Sequence, residues 1–465
     1  MSFPESIVQA LHAEPGKVVV EHGSRAVTRG QLLTMMGTIA AGLRKSGLGP
    51  GSGVAMVLDV SAESLAAYLA AFTLGCRVIG VRPGLSERQQ RHVLTNGVDA
   101  VLDDEQVATL LRSPAEPLTI EARPDDFARI CYTSGTTGLP KGCAQTYRAM
   151  STHWTWGKQT WSQDTAELAA CTDRYLLFGT LASAVVQDYL GLCLLGGGTA
   201  VIPEPVGPQL FPEVIERLRI TATIMNVPRL YQMLDTLRVA PTDTSTLRAM
   251  VVAGSPLAPH RLAEAVQLLG PVLHQAYGQT ETGGLTTLTP REIDSGMLAS
   301  VGRPLPGVQV DVRDGEIYVR TDYMMSEYFG APAETADVLV DGWLRTRDLG
   351  YLDDGYLYLT GRARDVIIVD ALPVYAGPIE RVLAGHPDVD QAYVVGAPDD
   401  RCGEAVHAFL VPRADHAPDP TALSALVRTE LGASSVPQTY TVVPEAPIAA
   451  SGKPDKKALL ELYPR

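Results

Sequence analysis

Eleven consecutive residues, Tyr132-Thr133-Ser134-Gly135-Thr136-Thr137-Gly138-Leu139-Pro140-Lys141-Gly142, hold the densest anion-binding chemistry in the chain. Their glycines let successive backbone N–H groups turn toward one anion. The hydroxyls of Thr133, Ser134, Thr136 and Thr137 and the ammonium of Lys141 add donors, so the chemistry on offer is the cradling of a phosphate chain. Clusters of Ser, Thr and Gly are usually plain surface loops. Against that reading stand the lysine and the strand-like run Phe127–Cys131 that feeds the loop. The segment is not the G-x-x-x-x-G-K-[ST] phosphate loop, because Gly142 follows Lys141. Further along lie isolated charges, Glu281, Asp348, Arg362 and Lys453, each of which alone would be read as a solvated surface group.

The spacing S-G-T-T-G-x-P-K-G resembles the signature of the adenylate-forming superfamily: acyl-CoA synthetases, peptide-synthetase adenylation domains and luciferases. Later segments follow in that family's order. Gln275-Ala276-Tyr277-Gly278-Gln279-Thr280-Glu281-Thr282-Gly283 is similar to its Y-G-x-T-E element, and Val301-Gly302-Arg303-Pro304-Leu305-Pro306-Gly307 to the next. Asp341-Gly342-Trp343-Leu344-Arg345-Thr346-Arg347-Asp348 resembles D-G-W-x-x-T-G-D, Gly361-Arg362-Ala363-Arg364-Asp365 resembles G-R-x-K-D, and Ser451-Gly452-Lys453 the terminal S-G-K. The likeness spans the whole chain and is nearest to bacterial acyl-CoA synthetases.

The resemblance implies ATP-dependent activation of a carboxylic acid as its acyl-AMP, followed by thioester formation with coenzyme A. Thr133, Ser134, Gly135, Thr136, Thr137, Gly138 and Lys141 would hold the β- and γ-phosphates. Thr280 would bond the α-phosphate and Glu281 would place Mg²⁺. Tyr277, within Ala276-Tyr277-Gly278-Gln279, would cover one face of adenine, and Ala253-Gly254-Ser255 would flank the other. Asp348 would accept the ribose hydroxyls and Arg362 would reach the ribose or phosphate. Lys453 would bridge the substrate carboxylate and the α-phosphate. Joining two anions calls for positioning and charge stabilisation rather than a protein nucleophile.

The chain also departs from the family. Counting from the expected hinge, Asp365, the positions of a Gly-Gly pair used in the thioester-forming orientation read Asp370-Ala371, which puts bulk and negative charge beside an anionic cofactor. Arg347 replaces the Gly of T-G-D, Tyr147 replaces the His after the phosphate loop, and no aromatic or His gate is evident between Leu176 and Gly198. Adenylation is therefore expected to be intact, with CoA transfer slow, altered or left to a partner thiolating enzyme or a phosphopantetheinyl carrier. A local loop shift that restores the tunnel is an equal alternative. A nucleotide-binding regulatory protein without turnover is the reading from another class.

These residues need a scaffold that brings them to one crevice. Short runs at Gly53–Val60, Arg77–Val81, Ala100–Leu102, Thr199–Ile202, Ala222–Met225 and Ala249–Ala253 alternate with helical patterns at Glu63–Leu74 and Ser86–Leu94. That rhythm implies an α/β fold with parallel sheets covered on both faces and ligands at the carboxyl ends of strands. After about Gly302 the texture changes to short strands and Gly/Asp turns (Val308–Val312, Glu316–Arg320, Tyr356–Thr360), a small β-rich subdomain over about 302–362. Residues 1–364 are expected to form the AMP-binding domain. Residues 365–465 are expected to form a mobile α+β domain, with strands Val366–Val369, Gln391–Val395 and Val406–Val411 and helices Pro378–Ala384 and Thr421–Leu431.

Bulk properties narrow the partners. A net charge of −14 without a Lys/Arg block argues against nucleic acid. Six scattered cysteines without a C-x-x-C pair argue against a zinc site or a disulfide framework and fit a reducing cytoplasm. The start of the chain lacks a signal-peptide pattern, and the apolar stretch Leu176–Ile202 is broken by Gln187, Asp188 and Gly196-Gly197-Gly198, so a buried helix leading into a strand is expected rather than a membrane span. Candidate walls for the acid include Trp156, Phe178, Asn226, Ala253 and Gly283. Their apolar character favours an aryl, alicyclic or fatty acid over an amino acid, for which Asp188 is the one available carboxylate.

Overall fold

The computed structural model describes residues 2–133, 139–204, 210–363, 365–369, 372–399, 403–414, 416–449 and 453–462. The expected phosphate-loop residues Ser134, Gly135, Thr136, Thr137 and Gly138, the pair Asp370-Ala371, and Arg364, Ser451 and Gly452 lie outside them.

Gly53–Val57 shows why the parallel strands form. Its run Gly-Val-Ala-Met-Val is buried over four of five positions, the continuous apolar pattern of a strand covered on both faces. It pairs in parallel with Arg77–Gly80 and Ala100–Asp103. The helix Ala62–Thr73 crosses between the first two, started by the Ser61 side chain accepting from the Ser64 N–H. Phe127–Thr133 adds on in parallel and Lys141–Thr146 in antiparallel, with Glu327–Tyr328 at the edge. A second, nine-stranded sheet runs in the order Arg303–Pro304, Gly283–Leu288, Leu273–Gln279, Ala249–Ala253, Ala222–Asn226, Arg174–Leu176, Thr199–Ile202, Val18–His22, Arg25–Thr28. The nine-stranded sheet carries antiparallel edges on both sides of a parallel centre and the six-stranded sheet on one side only, so the expected parallel character holds away from those edges.

The stretch Leu176–Ile202 resolves into the helix Ala184–Gly196, ended by Gly197 at φ 87, and the strand Thr199–Ile202. Among the described residues no helix is long and apolar enough to cross a membrane. Gln309–Arg313, Glu316–Arg320, Trp343–Asp353, Leu339–Val340 and Tyr356–Arg362 form an antiparallel five-stranded sheet.

The smaller C-terminal domain has its own five-stranded sheet and its own core of Ile367, Val374, Ile379, Leu383, Val394, Val406, Leu410, Leu423 and Val427. Its two longest strands, Val389–Asp399 and Gly403–Pro412, are roughly twice as long as their apolar runs suggest. Cross-strand pairing carries the ladder through polar residues that a hydrophobic pattern does not register. The chain is thus an α/β protein with a large N-terminal and a smaller C-terminal domain.

Candidate active site

Asn226 and Ala253 lie side by side at the carboxyl ends of neighbouring parallel strands. Ala253-Gly254-Ser255 leaves the sheet there, with Gly254 at φ 97 and open space where a side chain would stand. On the next strand Ala276 packs partly buried against the core. The strand turns through Tyr277-Gly278-Gln279 into the antiparallel return Gly283–Leu288. A Cβ on Gly278 would sit 2.2 Å from the Gly283 carbonyl oxygen, so the hairpin closes only around glycine.

The hairpin presents its side chains to Asp348, which is 6% exposed. Tyr277 Oη donates to Asp348 Oδ2 at 2.8 Å and Gln279 Nε2 to the same oxygen at 2.6 Å, while Arg362 Nε donates to Oδ1 at 2.5 Å. The strand pairing Asp348↔Arg362 brings the last two residues together. Burial, reinforced by the adjacent carboxylate, pushes the Tyr277 phenol well up. Arg362 stays firmly protonated: Asp348 outweighs its burial. In this arrangement Oδ2 has both lone pairs occupied. Oδ1 keeps one acceptor position beside Arg362, so one ribose hydroxyl can be taken as the site stands and a second only after one of these donors turns away, a point the motif alone did not disclose.

Glu281 Oε1 accepts from Tyr328 Oη at 2.9 Å, and the Glu281 carbonyl accepts from the Met325 N–H at 2.8 Å. The Lys141 ammonium lies over the Tyr328 ring, 5.1 Å from its centre. Tyr328 therefore ties the acid at 281 to the lysine that ends the phosphate loop. Thr280 sits half-buried at the turn immediately before Glu281, and Thr133 ends the strand that enters the loop.

Lys453 of the C-terminal domain reaches into the same cleft. Its side chain keeps contact with solvent, yet its ammonium is held below the usual lysine range. Desolvation by the cleft walls is the main cause, and the nearby Arg362 and Arg82 add to it against the pull of Asp348 and Glu281. Three cations converging on one space describe a site built for a polyanion. Arg82, at the end of the strand Arg77–Gly80, has a buried Nε without a partner. Sequence reading missed it because a single arginine after a strand carries no spacing signal.

Among the described residues, three contacts between the C-terminal domain and the rest stand out. Asp390 lies 3.6 Å from Arg261 Nε and 4.0 Å from His260 Nε2. Burial alone would raise the Asp390 carboxyl, but His260 and Arg261 outweigh it and hold it down. Arg381 donates to the Leu359 carbonyl at 3.2 Å. Gly377 packs on Gly361 so closely that a Cβ there would stand 2.9 Å from the Gly361 Cα. Within the domain, Lys456 bonds Asp365 at 3.1 Å and Glu380 at 2.8 Å, tying the segment that carries Lys453 to the expected hinge residue.

Of the acid-pocket candidates, Phe178, Asn226, Ala253 and Gly283 are half-buried around the strand ends. Trp156 is elsewhere. It is 3% exposed, packs on Phe3 with ring centres 5.1 Å apart and against Gly191, and donates Nε1 to Asp188. Asp188 is itself buried against Arg129 at 2.8 Å, so neither side chain has a face for a ligand. Tyr147 is a buried tie, its hydroxyl bonding the Phe72 and Cys76 carbonyls. Nothing in the sequence singled out His153. It is fully buried, 3.6 Å from Asp188 and directly behind Gly283.

A model of the AMP-binding enzyme family matches residues 8–329, and one of the AMP-binding enzyme C-terminal domain matches residues 378–453. A fatty acid–[acyl-carrier-protein] ligase, ScoC of Streptomyces coeruleorubidus, is 30% identical over 99% of this chain and 96% of its own. A 2-succinylbenzoate–CoA ligase of Geobacillus kaustophilus is also 30% identical, over 100% and 99%. Among solved structures, the amide bond synthetase McbA of Marinactinospora thermotolerans is 33% identical, with a TM-score of 0.85 over 98% of this chain and 99% of its own.

Proposed function

The chain belongs to the AMP-binding enzyme family, and from that premise we propose how its residues divide the reaction. The protein is an AMP-forming ligase: it activates a carboxylic acid as acyl-AMP and releases pyrophosphate. In the proposed scheme a carboxylate oxygen of the acid bonds to the α-phosphorus of ATP as the bond to pyrophosphate breaks. Lys453 lies between the two anions and offsets the charge that builds on phosphorus. Lys141 and Arg82 face the departing pyrophosphate, and Thr280 bonds the α-phosphate. Tyr277 and Gly254-Ser255 sandwich the base, and Asp348 takes both ribose hydroxyls once Tyr277 or Gln279 releases it. Glu281 fits a Mg²⁺ site of the usual nucleotide kind, one carboxylate with phosphates and water completing the shell. Magnesium there would neutralise phosphate charge. The observation that carries this reading is the approach of Lys453, from another domain, to Arg362, Asp348 and Glu281.

A hinge at Asp365, separating residues 1–364 from 365–465, is part of the proposal, supported by the few contacts that tie the domains together. The acyl acceptor is coenzyme A or a carrier-protein thiol, as in the names of the relatives. A second reading, an amine acceptor giving an amide, is favoured by the 33% identical amide bond synthetase and by Asp370-Ala371 in place of two glycines. Free cysteines at 76, 131, 143, 171 and 193 suit the cytoplasmic setting that goes with it. The test is carboxylate-dependent exchange of labelled pyrophosphate into ATP across an acid panel, repeated with CoA and with simple amines. Exchange is expected. Its absence with every acid would leave only a nucleotide-binding role, and thioester without amide would remove the second reading.

A further inference from the structure

Among the described residues the Arg229 guanidinium has aromatic neighbours but no ion-pair partner. It lies over the ring of Phe178 at 5.1 Å and over that of Phe211 at 5.9 Å, and the two rings meet edge to face at 5.3 Å. Among the same residues it donates no hydrogen bond. The neighbouring residues 205–209, outside the described set, contain no acid. Each of the other arginines stacked on an aromatic ring has an acidic or carbonyl/amide oxygen partner, though Arg77 and Arg261 keep a buried Nε without a hydrogen bond. Arg77 bonds the Gly97 carbonyl, Arg261 pairs with Asp235 and Glu264, Arg303 lies near Glu292, Arg313 pairs with Asp311, and Arg320 bonds Gln309. Arg229 is the exception.

Its position adds to the oddity. It stands in the first turn of the 13-residue helix Val227–Val239, whose N-cap Asn226 accepts the Arg229 N–H. That turn holds no acidic residue. A helix start already carries positive potential, so a cation there is placed against the dipole, while an anion in front of it is favoured twice. Burial lowers the Arg229 pKa with no nearby carboxylate opposing it. A half-buried cation stacked on two rings and lacking a carboxylate among the described residues is free to take an anionic ligand. The location is the crevice of the acid: Asn226 is in register with Ala253, and Phe178 lies two residues past the strand Arg174–Leu176 that flanks Ala222–Asn226 on its other side.

We propose that Arg229 binds a second carboxylate of the acid substrate, remote from the one that is adenylated, so that the enzyme activates a dicarboxylic acid with an apolar spacer lying along Phe178 and Phe211. This deepens the proposed function and rests on it. The guanidinium fork suits a carboxylate held in two places, and the rings fix its plane.

Pyrophosphate exchange without any acyl acceptor tests it, using straight-chain α,ω-diacids and the benzenedicarboxylates against hexanoate and benzoate. The best diacid is expected to exceed the matching monoacid in kcat/KM by roughly tenfold or more. Arg229→Gln should raise KM for that diacid about tenfold, leave KM for ATP unchanged and spare the monoacid, and Arg229→Lys should recover part. Equal activity of Arg229→Gln and wild type on diacids, or equal loss on diacid and monoacid, overturns the proposal. So does a loss seen only when CoA is added, which would assign the anion to the acceptor. Should no acid support exchange, the adenylation reading fails, and calorimetric binding of the same diacids decides this one: tighter binding to wild type than to Arg229→Gln sustains it, and equal or absent binding ends it.

Discussion

Replacing Asp390 by Asn removes a charge from the contact between the domains while keeping its shape. The partner, Arg261, is fully buried and already pairs with Asp235 at 2.8 Å and Glu264 at 2.9 Å, so it is not orphaned by the change. At 3.6 Å and an effective dielectric of about 20, the gross attraction to Asp390 is on the order of 4–5 kcal/mol. The Asp390 side chain is 12% exposed, and its desolvation offsets most of that, leaving a net of about 1–2 kcal/mol. One such step moves an equilibrium between two orientations by roughly five- to thirtyfold. The expected result is a roughly three- to tenfold slowing of single-turnover acyl-AMP formation, because Lys453 is brought to the cleft less often. Capture of preformed acyl-AMP by its acceptor should be unchanged or faster, and the melting temperature should move little. Equal slowing of both steps would show that Asp390 supports folding rather than orientation. No change in the first step would show that the contact does not hold the domain.

Lys453→Ala should lower acyl-AMP formation by on the order of 10²–10³ while consumption of preformed acyl-AMP stays within a few-fold, read by single-turnover kinetics; equal losses would remove its assigned role. Burial, with Arg129 adding to it against Asp188, pushes the His153 imidazole down to about 4 from 6.5. The unfolded chain therefore takes up a proton between those values that the folded chain refuses, and stability is lost as pH falls through that window, by up to about 3 kcal/mol; His153→Gln should lose correspondingly less in denaturant melts, and parallel pH profiles would contradict this. Arg347 sits at φ 60, a conformation costing a side chain about 1–2 kcal/mol, against which stand its ion pair with Asp337 and the greater unfolded-state freedom of glycine. Arg347→Gly should thus be neutral within about 1 kcal/mol and Arg347→Val destabilising by about 1–2 kcal/mol in thermal unfolding; a neutral valine would refute the strain.

The parallel strands that were most legible are those whose burial on both faces leaves only apolar residues. Gly53–Val57 and Ala249–Ala253 can hardly be read otherwise. Strands whose identity rests on pairing were not: Leu273–Gln279 carries His, Gln, Tyr and Gly and is held by its neighbours rather than by its own pattern. The same division runs through the site. Glu281, Asp348, Arg362 and Lys453 stand out because each lies inside a contiguous run of distinctive spacing. What surrounds them does not: Tyr328 behind Glu281 and Arg82 near Lys453 come from far along the chain, and that Tyr277 and Gln279, themselves in a motif, fill Asp348 is seen only in the fold. Trp156 shows the converse error. An aromatic in a candidate segment reads as a pocket wall, and only the packing of Phe3 and Gly191 places it in the core.

Electrostatics extends the point beyond geometry. The net charge of −14 says little about a site where Lys453, Arg362 and Arg82 converge. An acidic chain can hold a strongly positive crevice provided its cations are gathered from separate strands and from a second domain. That arrangement has a kinetic consequence. In the proposed scheme the full set of cations is assembled only while the C-terminal domain is seated, so pyrophosphate would be held most tightly during the step that creates it. Its release should become easier when Lys453 withdraws. The Asp390 contact, weak enough to break and strong enough to bias, would then set the balance between forming the adenylate and passing it on.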